Sequence, residues 1–247
     1  MELSKQNIRE REFHDKLQSS SKGRFENVFY KALYNASTDF FNQIKSNCKE
    51  KIVLDFGCGI GEASRKVYDY KPKKLSGIDI SEVSVKKASN EAKRLRMNIE
   101  YKVDNCEHLE LKDDSYDLVY GTGIIHHLNT EKCINEISRI LKDNGTIVFL
   151  EPLGTNPIIN FYRKITPKAR SHDEHPLIKK DFDIIKQKFK IFELKYYGFL
   201  TLILFLIYRD PSKSKVFKLL SVIDQVLFKL KVFQLLAWSV VITAKKS

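Results

Sequence analysis

The sequence predicts an α/β fold, built on a mostly parallel sheet with helices on both faces. Three observations predict it. Short apolar runs alternate with helix-like segments between residues 51 and 152, a loop with three glycines directly follows the first run, and an acidic residue lies near the end of each of the first three runs. Strands and helices that alternate at this spacing are typical of right-handed βαβ units. The 247 residues suffice for one such domain, and we treat 1–247 as a single unit.

Five strand-like segments predict the parallel strands. Buried parallel strands appear as short continuous apolar runs, because helices cover both faces of the sheet. The predicted strands are 51–56, 74–80, 98–105, 116–123 and 145–152.

Helices are predicted between these strands, over 62–70, 82–96 and 130–142. Ser81 has the side chain of a good N-cap for the second of them. An earlier segment, 24–46, has apolar residues at helical spacing. We expect residues 1–46 to form a helical lid over a cofactor-binding core of residues 47–151.

The pattern changes after Pro152. Residues 152–177 contain four of the six prolines, which predicts an irregular cap insertion. A helix at 178–189 and strands at 191–197 and 238–246 then resume the sheet. Residues 199–236 form the second cap insertion, with one long amphipathic helix expected over 213–236. The apolar run 196–208 has 13 residues, fewer than the roughly 20 of a membrane-spanning helix.

Charge is unevenly distributed along the chain. Of the net charge of +12, nearly all lies in residues 152–247, which hold 18 Lys and Arg against 7 Asp and Glu. A basic segment favours an anionic partner such as nucleic acid, a membrane surface or an acidic substrate, although an AT-rich genome, which encodes many lysines, gives the same bias.

The four cysteines form no C-x-x-C pair and the N-terminus has no apolar core, so we expect a cytoplasmic protein without disulfides.

The glycine loop Gly57-x-Gly59-x-Gly61 predicts a ligand site. Ligands of such sheets bind beyond the carboxyl ends of the strands, and glycine lets them approach the backbone. A phosphate-binding loop of the Walker type needs a Lys-Ser/Thr pair after its last glycine, but Glu62-Ala63 follows here. A dinucleotide fingerprint needs glycine where Glu62 stands, so the nicotinamide alternative is weakened as well.

Three acids at the ends of successive predicted strands suit a cationic cofactor. Asp55 lies two residues before the first glycine and is placed to meet an ammonium group or to order the loop. Asp79 is placed to accept both hydroxyls of a ribose, and Asp104 the exocyclic amine of an adenine. Together they would repel a pyrophosphate and suit S-adenosylmethionine.

Five ordered segments between about residues 51 and 152 resemble the motifs of class I S-adenosylmethionine-dependent methyltransferases, namely LDFGCGIGEAS, GIDIS, YKVDNCEHL, YDLVYGTGIIHHL and LKDNGTIVFLEP. The resemblance implies a Rossmann-like sheet of seven strands that ends in an antiparallel hairpin of 191–197 and 238–246. It also implies a cofactor site, for which we predict Asp55, Gly57, Cys58, Gly59, Gly61, Asp79, Ile80, Asp104, Asn105, Cys106, Gly121 and Thr122.

The segment GTGIIHHL indicates which class of acceptor is methylated. It lacks the (D/N)PP(Y/F) motif and a Pro-Cys pair, which disfavours methylation of nucleic-acid bases, and it resembles the small-molecule branch of the family. We expect O-methylation to be favoured. Histidine titrates near neutral pH, so His126 and His127 are candidate bases, although such a pair also packs at helix starts. Glu151 is an equal candidate, as an acid that positions the acceptor.

Substrate contacts are predicted on the lid and on the cap segment SHDEHP, at His14, Tyr30, Tyr34, His172, Glu174 and His175. No further ligand types cluster with them in the sequence, so no metal site is predicted.

The apolar cap also predicts the partners. An apolar face bordered by lysines lies well in a membrane interface, although the same helices also suit packing on the sheet. Both alternatives favour a small, lipophilic or amphiphilic acceptor, and the first adds an anionic surface at the inner membrane face. Nucleic acid is disfavoured because aromatic residues are not interleaved with the basic ones.

Two rival hypotheses stay open: a tRNA or protein methyltransferase that uses the basic C-terminal part, and a non-catalytic cofactor-binding interaction protein. Oligomeric state is not indicated.

Overall fold

A computed structural model describes residues 3–19, 28–166, 171, 173–208 and 210–246. Seven strands form one sheet in the order β3-β2-β1-β4-β5-β7-β6. Strand β7 runs antiparallel to both neighbours, whereas the other pairs are parallel. The predicted fold is therefore confirmed. The strands are β1 Ile52–Phe56, β2 Lys74–Asp79, β3 Glu100–Val103, β4 Tyr116–Thr122, β5 Leu141–Pro152, β6 Phe189–Tyr197 and β7 Ser239–Lys246.

Ten α-helices are described, some on the faces of the sheet and some in the lid and cap. They are α1 Lys5–Ser19, α2 Tyr34–Cys48, α3 Glu62–Tyr68, α4 Glu82–Arg94, α5 Thr130–Ile140, α6 Pro157–Ile165, α7 Lys179–Lys188, α8 Leu200–Ile203, α9 Lys215–Leu227 and α10 Lys231–Gln234.

The core lies on both faces of the central strands. Val53 belongs to the cluster that α2 covers, while its neighbour Leu54 belongs to the cluster that α5 covers on the opposite face. Successive side chains of a strand point to opposite faces, so a strand buried on both faces is apolar at nearly every position. This is why the strand predictions succeeded.

The predicted N-cap of α4 is confirmed. The Ser81 side chain accepts a hydrogen bond from the Ser84 amide at 3.0 Å, as expected of an N-cap. Helix α2, by contrast, begins at Tyr34, ten residues after the predicted start. The segment Val28–Leu33 before it is a 3-10 helix, and residues 24–27 lie outside the described part of the chain.

The cap differs from prediction in two places. Residues 152–177, predicted to be irregular, contain the helix α6. The Asn156 side chain caps this helix, because it accepts hydrogen bonds from the amides of Ile158 and Ile159 at 2.9 and 3.1 Å. Pro157 occupies the first helical turn, where a missing N–H costs no hydrogen bond.

The expected helix over 213–236 is broken. Helix α9 ends at Leu227, and the Gln234 side chain donates to the Phe228 carbonyl at 2.8 Å across the break.

The cap leaves the sheet at a single edge. Ser239, at the start of β7, pairs with Pro152 at the end of β5 and with Tyr197 at the end of β6. Both cap insertions therefore begin at the carboxyl ends of the parallel strands, the edge that carries the glycine loop. Among the described residues, no helix combines the length and the apolar character needed to span a bilayer.

One buried carboxylate joins two helices of the cap. Asp224 of α9 is 2% exposed, and it accepts hydrogen bonds from the Leu200 amide at 2.8 Å and from the Thr201 hydroxyl at 2.9 Å. The first amides of α8 have no partner within their own helix. Asp224 supplies one, and so orders the chain that follows β6.

Replacing this carboxylate tests that account. We expect Asp224→Ala to lower the free energy of unfolding by about 1–3 kcal/mol, because buried donors lose their acceptor. Urea denaturation measures the change. Asp143→Ala removes an exposed carboxylate and is the matched control; equal stability of the two variants would contradict the role of Asp224.

Candidate active site

The glycine loop is tied to the end of β2. The carbonyl of Ile78 accepts from the amides of Gly57 and Cys58 at 2.9 and 2.8 Å, and Asp79 Oδ2 accepts from the Gly59 amide at 2.8 Å. Gly57 has a φ of +75°, and a Cβ there would lie 2.5 Å from the Ile124 side chain. Only glycine satisfies both constraints, so the loop backbone closely approaches the segment that follows β4.

Asp55 and Asp79 lie on β1 and β2, and Asp104 directly follows β3, so the three acids stand near the ends of three adjacent strands, as predicted. Asp55 is buried and accepts from the Ser64 hydroxyl at 2.5 Å, which ties β1 to α3. Burial raises the pKa of Asp55 to about 7. Asp79 accepts from the Ser81 amide at 2.9 Å, and burial raises the pKa of Asp79 as well.

Asp104 and its neighbours form the side of the site next to β3. Asp104 is buried and accepts from the Asn105 amide at 2.9 Å, while Lys102 Nζ lies 3.3 Å from its Oδ2. Asn105 and Cys106 are also buried, and the Asn105 amide group lies 3.4 Å from Asn7 Oδ1 of α1.

The other predicted cofactor residues border the same loop. Gly121 is buried at the end of β4, where a Cβ would lie 2.7 Å from the Phe56 carbonyl oxygen, and Thr122 beside it is exposed. Ile80 is half-buried. Cys58 is buried, and burial raises the pKa of its thiol well above the usual value, so it is not a thiolate nucleophile at neutral pH.

Glu151 organises the turn that carries the two histidines. Its Oε1 accepts from the amides of Ile124 and Ile125, both at 2.9 Å, and its Oε2 lies 2.8 Å from His126 Nδ1. Glu151 is fully buried at the end of β5. A carboxylate accepts here, so the neutral His126 ring has its proton on Nδ1 and a lone pair on Nε2. Burial lowers the pKa of His126, and this favours the neutral ring.

Helix α1 closes over the histidine turn with a polar face. Glu10 Oε2 lies 3.1 Å from His127 Nδ1 and 3.7 Å from His14 Nε2, and the Gln6 side chain donates to the His127 carbonyl at 3.1 Å. Burial acts to raise the pKa of Glu10, but its neighbours outweigh burial and hold the pKa below its usual value. The helix also reaches the cofactor side, where Asp15 accepts from the Ser81 hydroxyl.

Sequence reasoning missed Gln6, Asn7 and Glu10. A helix that buries polar residues has no apolar periodicity, so α1 was predicted only as part of the helical lid of residues 1–46, without bounds of its own. The available signal was the spacing of Glu10 and His14, which places the two side chains on one helical face.

The cap segment closes the site from the other side. Arg9 of α1 donates two hydrogen bonds of 2.7 Å to Asp173, and Glu174 Oε1 lies 3.8 Å from His126 Nε2. The His175 amide donates to the His126 carbonyl at 2.8 Å. The structure thus brings the predicted residues His14, Glu174 and His175 to the histidine pair.

Three predicted substrate residues are not placed there. His172 and the side chain of Tyr30 lie outside the described part of the chain. Tyr34 is exposed at the start of α2, and its ring contacts that of Phe217 with centroids 6.1 Å apart. Its position fits packing between the lid and the cap.

Comparison with protein families finds one match inside the chain. Residues 53–145 match the family described as methyltransferase domain. An uncharacterized protein of Methanocaldococcus jannaschii is 34% identical over 142 residues, which cover 56% of this chain and 55% of that protein. Phosphoethanolamine N-methyltransferase 3 of Arabidopsis thaliana is 28% identical over 175 residues, which cover 68% of this chain and 34% of that enzyme. The chain spans about half the length of the first curated relatives it matches.

A solved structure shares the fold over nearly the whole chain. Haemonchus contortus phosphoethanolamine N-methyltransferase 2, in complex with S-adenosyl-L-methionine, superimposes with a TM-score of 0.69 at 18% identity. The match covers 96% of this chain and 59% of that enzyme. The fold that the two proteins share therefore extends beyond residues 53–145 and includes the antiparallel strands β6 and β7.

Proposed function

We propose that this chain, which belongs to the class I S-adenosylmethionine-dependent methyltransferases, transfers a methyl group from S-adenosylmethionine to a hydroxyl of a small lipophilic acceptor. The observation that carries the proposal is the arrangement of Glu151 and His126. A fully buried carboxylate orients a neutral histidine on the turn whose Ile124 lies against the glycine loop, at the edge of the sheet where α1 and the cap meet.

The chemistry of the loop supports the cofactor. No Lys-Ser/Thr pair directly follows its glycines, and Asp55, Asp79 and Asp104 lie at the ends of three adjacent strands, so the site suits a cationic sulfonium better than a pyrophosphate. Asp79 already binds the Gly59 amide and the Ser81 amide. Each carboxylate oxygen accepts more than one hydrogen bond, so both remain able to bind ribose hydroxyls.

The reaction needs one base at most. Bound S-adenosylmethionine would supply an electrophilic methyl group to the acceptor oxygen and would keep the electrons of the carbon–sulfur bond on its sulfur, so the protein has only the hydroxyl proton to remove. In our proposal His126 Nε2 takes that proton, while Glu151 holds the ring and stabilises the imidazolium that forms. Glu174 and His175 lie beside this histidine and are placed to contact the acceptor.

The surface of the cap supports a lipophilic acceptor. Of the 18 exposed large apolar side chains among the described residues, 14 lie on the two cap segments, at 158–165 and 203–235. Scattered apolar residues are normal on a protein surface, but this concentration is not. The exposed apolar cap, as we name this surface, consists of Ile158, Phe161, Ile165, Ile203, Leu206, Ile207, Val216, Leu219, Val222, Ile223, Val226, Leu230, Val232 and Leu235.

Lysines accompany this surface. On α9 and the chain around it, Lys213, Lys215, Lys218, Lys229 and Lys231 are exposed, and the acid of α9, Asp224, is buried. An apolar face with a basic border binds anionic interfaces. We therefore propose that the protein takes its acceptor from the inner, anionic face of a membrane.

Cofactor binding is tested at Asp79. We expect Asp79→Ala to weaken S-adenosylmethionine binding by about 1–3 kcal/mol, because two hydroxyls lose a charged partner. Isothermal titration calorimetry measures the affinity, with Asp143→Ala as control and NADH as the competing cofactor class. An unchanged affinity would place the cofactor elsewhere, and binding of NADH instead would refute the cofactor.

The proposed base is tested at His126. We expect His126→Ala to lower turnover by ~10²-fold or more while cofactor affinity is retained, because the proposed proton acceptor is removed and the proposed cofactor contacts lie on other residues. Transfer of a tritiated methyl group to alkylated phenols and quinols measures turnover. His108→Ala removes an exposed histidine and serves as control. Unreduced turnover in the His126 variant would exclude it as the base.

The membrane surface is tested on α9. We expect Leu219→Glu combined with Val222→Glu to lower binding to phosphatidylglycerol vesicles by ~10-fold or more, because two carboxylates enter an apolar, anionic interface. Co-sedimentation measures binding, and Leu95→Glu, an exposed apolar residue outside the cap, is the control. Equal binding by the double variant and the control would contradict the proposal.

A further inference from the structure

Three side chains near the proposed base form a cluster that the methyl-transfer proposal does not use. Glu10 and His14 lie one turn apart on α1, and His127 lies on the turn after β4. One oxygen of Glu10 and one ring nitrogen of each histidine all lie within 4.8 Å of one another. Glu10 and His127 are buried, and His14 is partly buried.

Glu10 is the unusual member of this cluster. Glu10 is 5% exposed, and its carboxylate is faced by polar side chains of the histidine turn, of α1 and of the cap segment. His127 Nδ1 and His14 Nε2 lie 3.1 and 3.7 Å from the same oxygen, Glu10 Oε2. A buried carboxylate needs polar or cationic partners, and a metal ion bound by Glu10 together with the two imidazoles would be such a partner.

We propose that Glu10, His14 and His127 bind a divalent first-row transition-metal ion, with zinc as the reference ion. Zinc binds histidine nitrogen and carboxylate oxygen at ~2.0–2.2 Å, so that ligand atoms around a tetrahedral ion lie roughly 3.3–3.6 Å apart. The observed separations of Oε2 from the two nitrogens, 3.1 and 3.7 Å, bracket that range. Two imidazoles exclude magnesium and calcium as preferred ions, because those take oxygen ligands.

Three protein ligands leave a coordination position open. The rings of His127 and His126 lie with centroids 4.1 Å apart, so the ion would sit beside the proposed base. An oxygen of the acceptor is the ligand that suits the open position. This role rests on the proposed function, whereas metal binding itself does not.

The test is metal binding by the full-length protein without cofactor or acceptor. After removal of metals with EDTA, Zn²⁺ is titrated by calorimetry and Co²⁺ by its visible absorption, which reports coordination geometry. We expect one ion per chain in the unmodified protein. Glu10→Gln and His14→Ala should each weaken binding by ~10²-fold or more, since even residues that only orient metal ligands contribute 10–100-fold. His108→Ala is the control and should bind as the unmodified protein does.

Two results would overturn the proposal. One is the absence of stoichiometric Zn²⁺ and Co²⁺ binding, and the other is affinity that Glu10→Gln and His14→Ala leave unchanged. Titration with S-adenosylmethionine checks that each variant is folded. It also separates the two proposals, because a protein that binds the cofactor but no metal refutes only the metal site, and the reverse result refutes only the cofactor site.

Discussion

The positions of the proposed site residues depend on one constraint, which is that the parallel strands β1 to β5 have their carboxyl ends along the same edge of the sheet. Strands β1 to β5 pair in parallel, so the glycine loop, Asp79, Asp104, the histidine turn and Glu151 all lie at their carboxyl ends. The two cap insertions leave from the same edge, because β7 starts beside the ends of β5 and β6. The pairing of strands alone thereby brings these residues together, whereas α1 and the cap segment reach the site through packing and side-chain contacts.

Within that edge, the site is organised by buried polar groups. Glu151 binds two backbone amides and a histidine, and is fully enclosed. Such a carboxylate is stabilising only when its hydrogen bonds are satisfied, and that requirement fixes the position of His126. Helix α1 adds Asn7 and Glu10, two buried polar residues on the side that faces the site. Helix α1 is therefore held by specific contacts, such as the paired bonds of Arg9 to Asp173, more than by apolar burial.

The cap, in contrast to α1, is held by apolar packing and also exposes apolar side chains. Its inner residues, including Phe217 and Leu220, are buried against Tyr208, while Leu219 and Val222 on the same helix face outward. Exposed apolar area has an unfavourable hydration free energy, which an interface would remove. A polar α1 beside an apolar cap is compatible with the acceptor we propose, which has a reactive hydroxyl and a lipophilic body.

Local chemistry allowed much of this to be predicted from the sequence. The seven strands follow from apolar runs, the loop from Gly57, Gly59 and Gly61, and the start of α4 from Ser81, because each depends on residues close together in the chain. Contacts between distant residues decided the rest. Glu10 and His127 are separated by more than a hundred residues, and only the packing of α1 on the turn after β4 brings them to 3.1 Å. The break after Leu227 and the outward face of α9 likewise depend on what the helix packs against, since the apolar pattern of a helix is the same whether a protein core or another surface covers it.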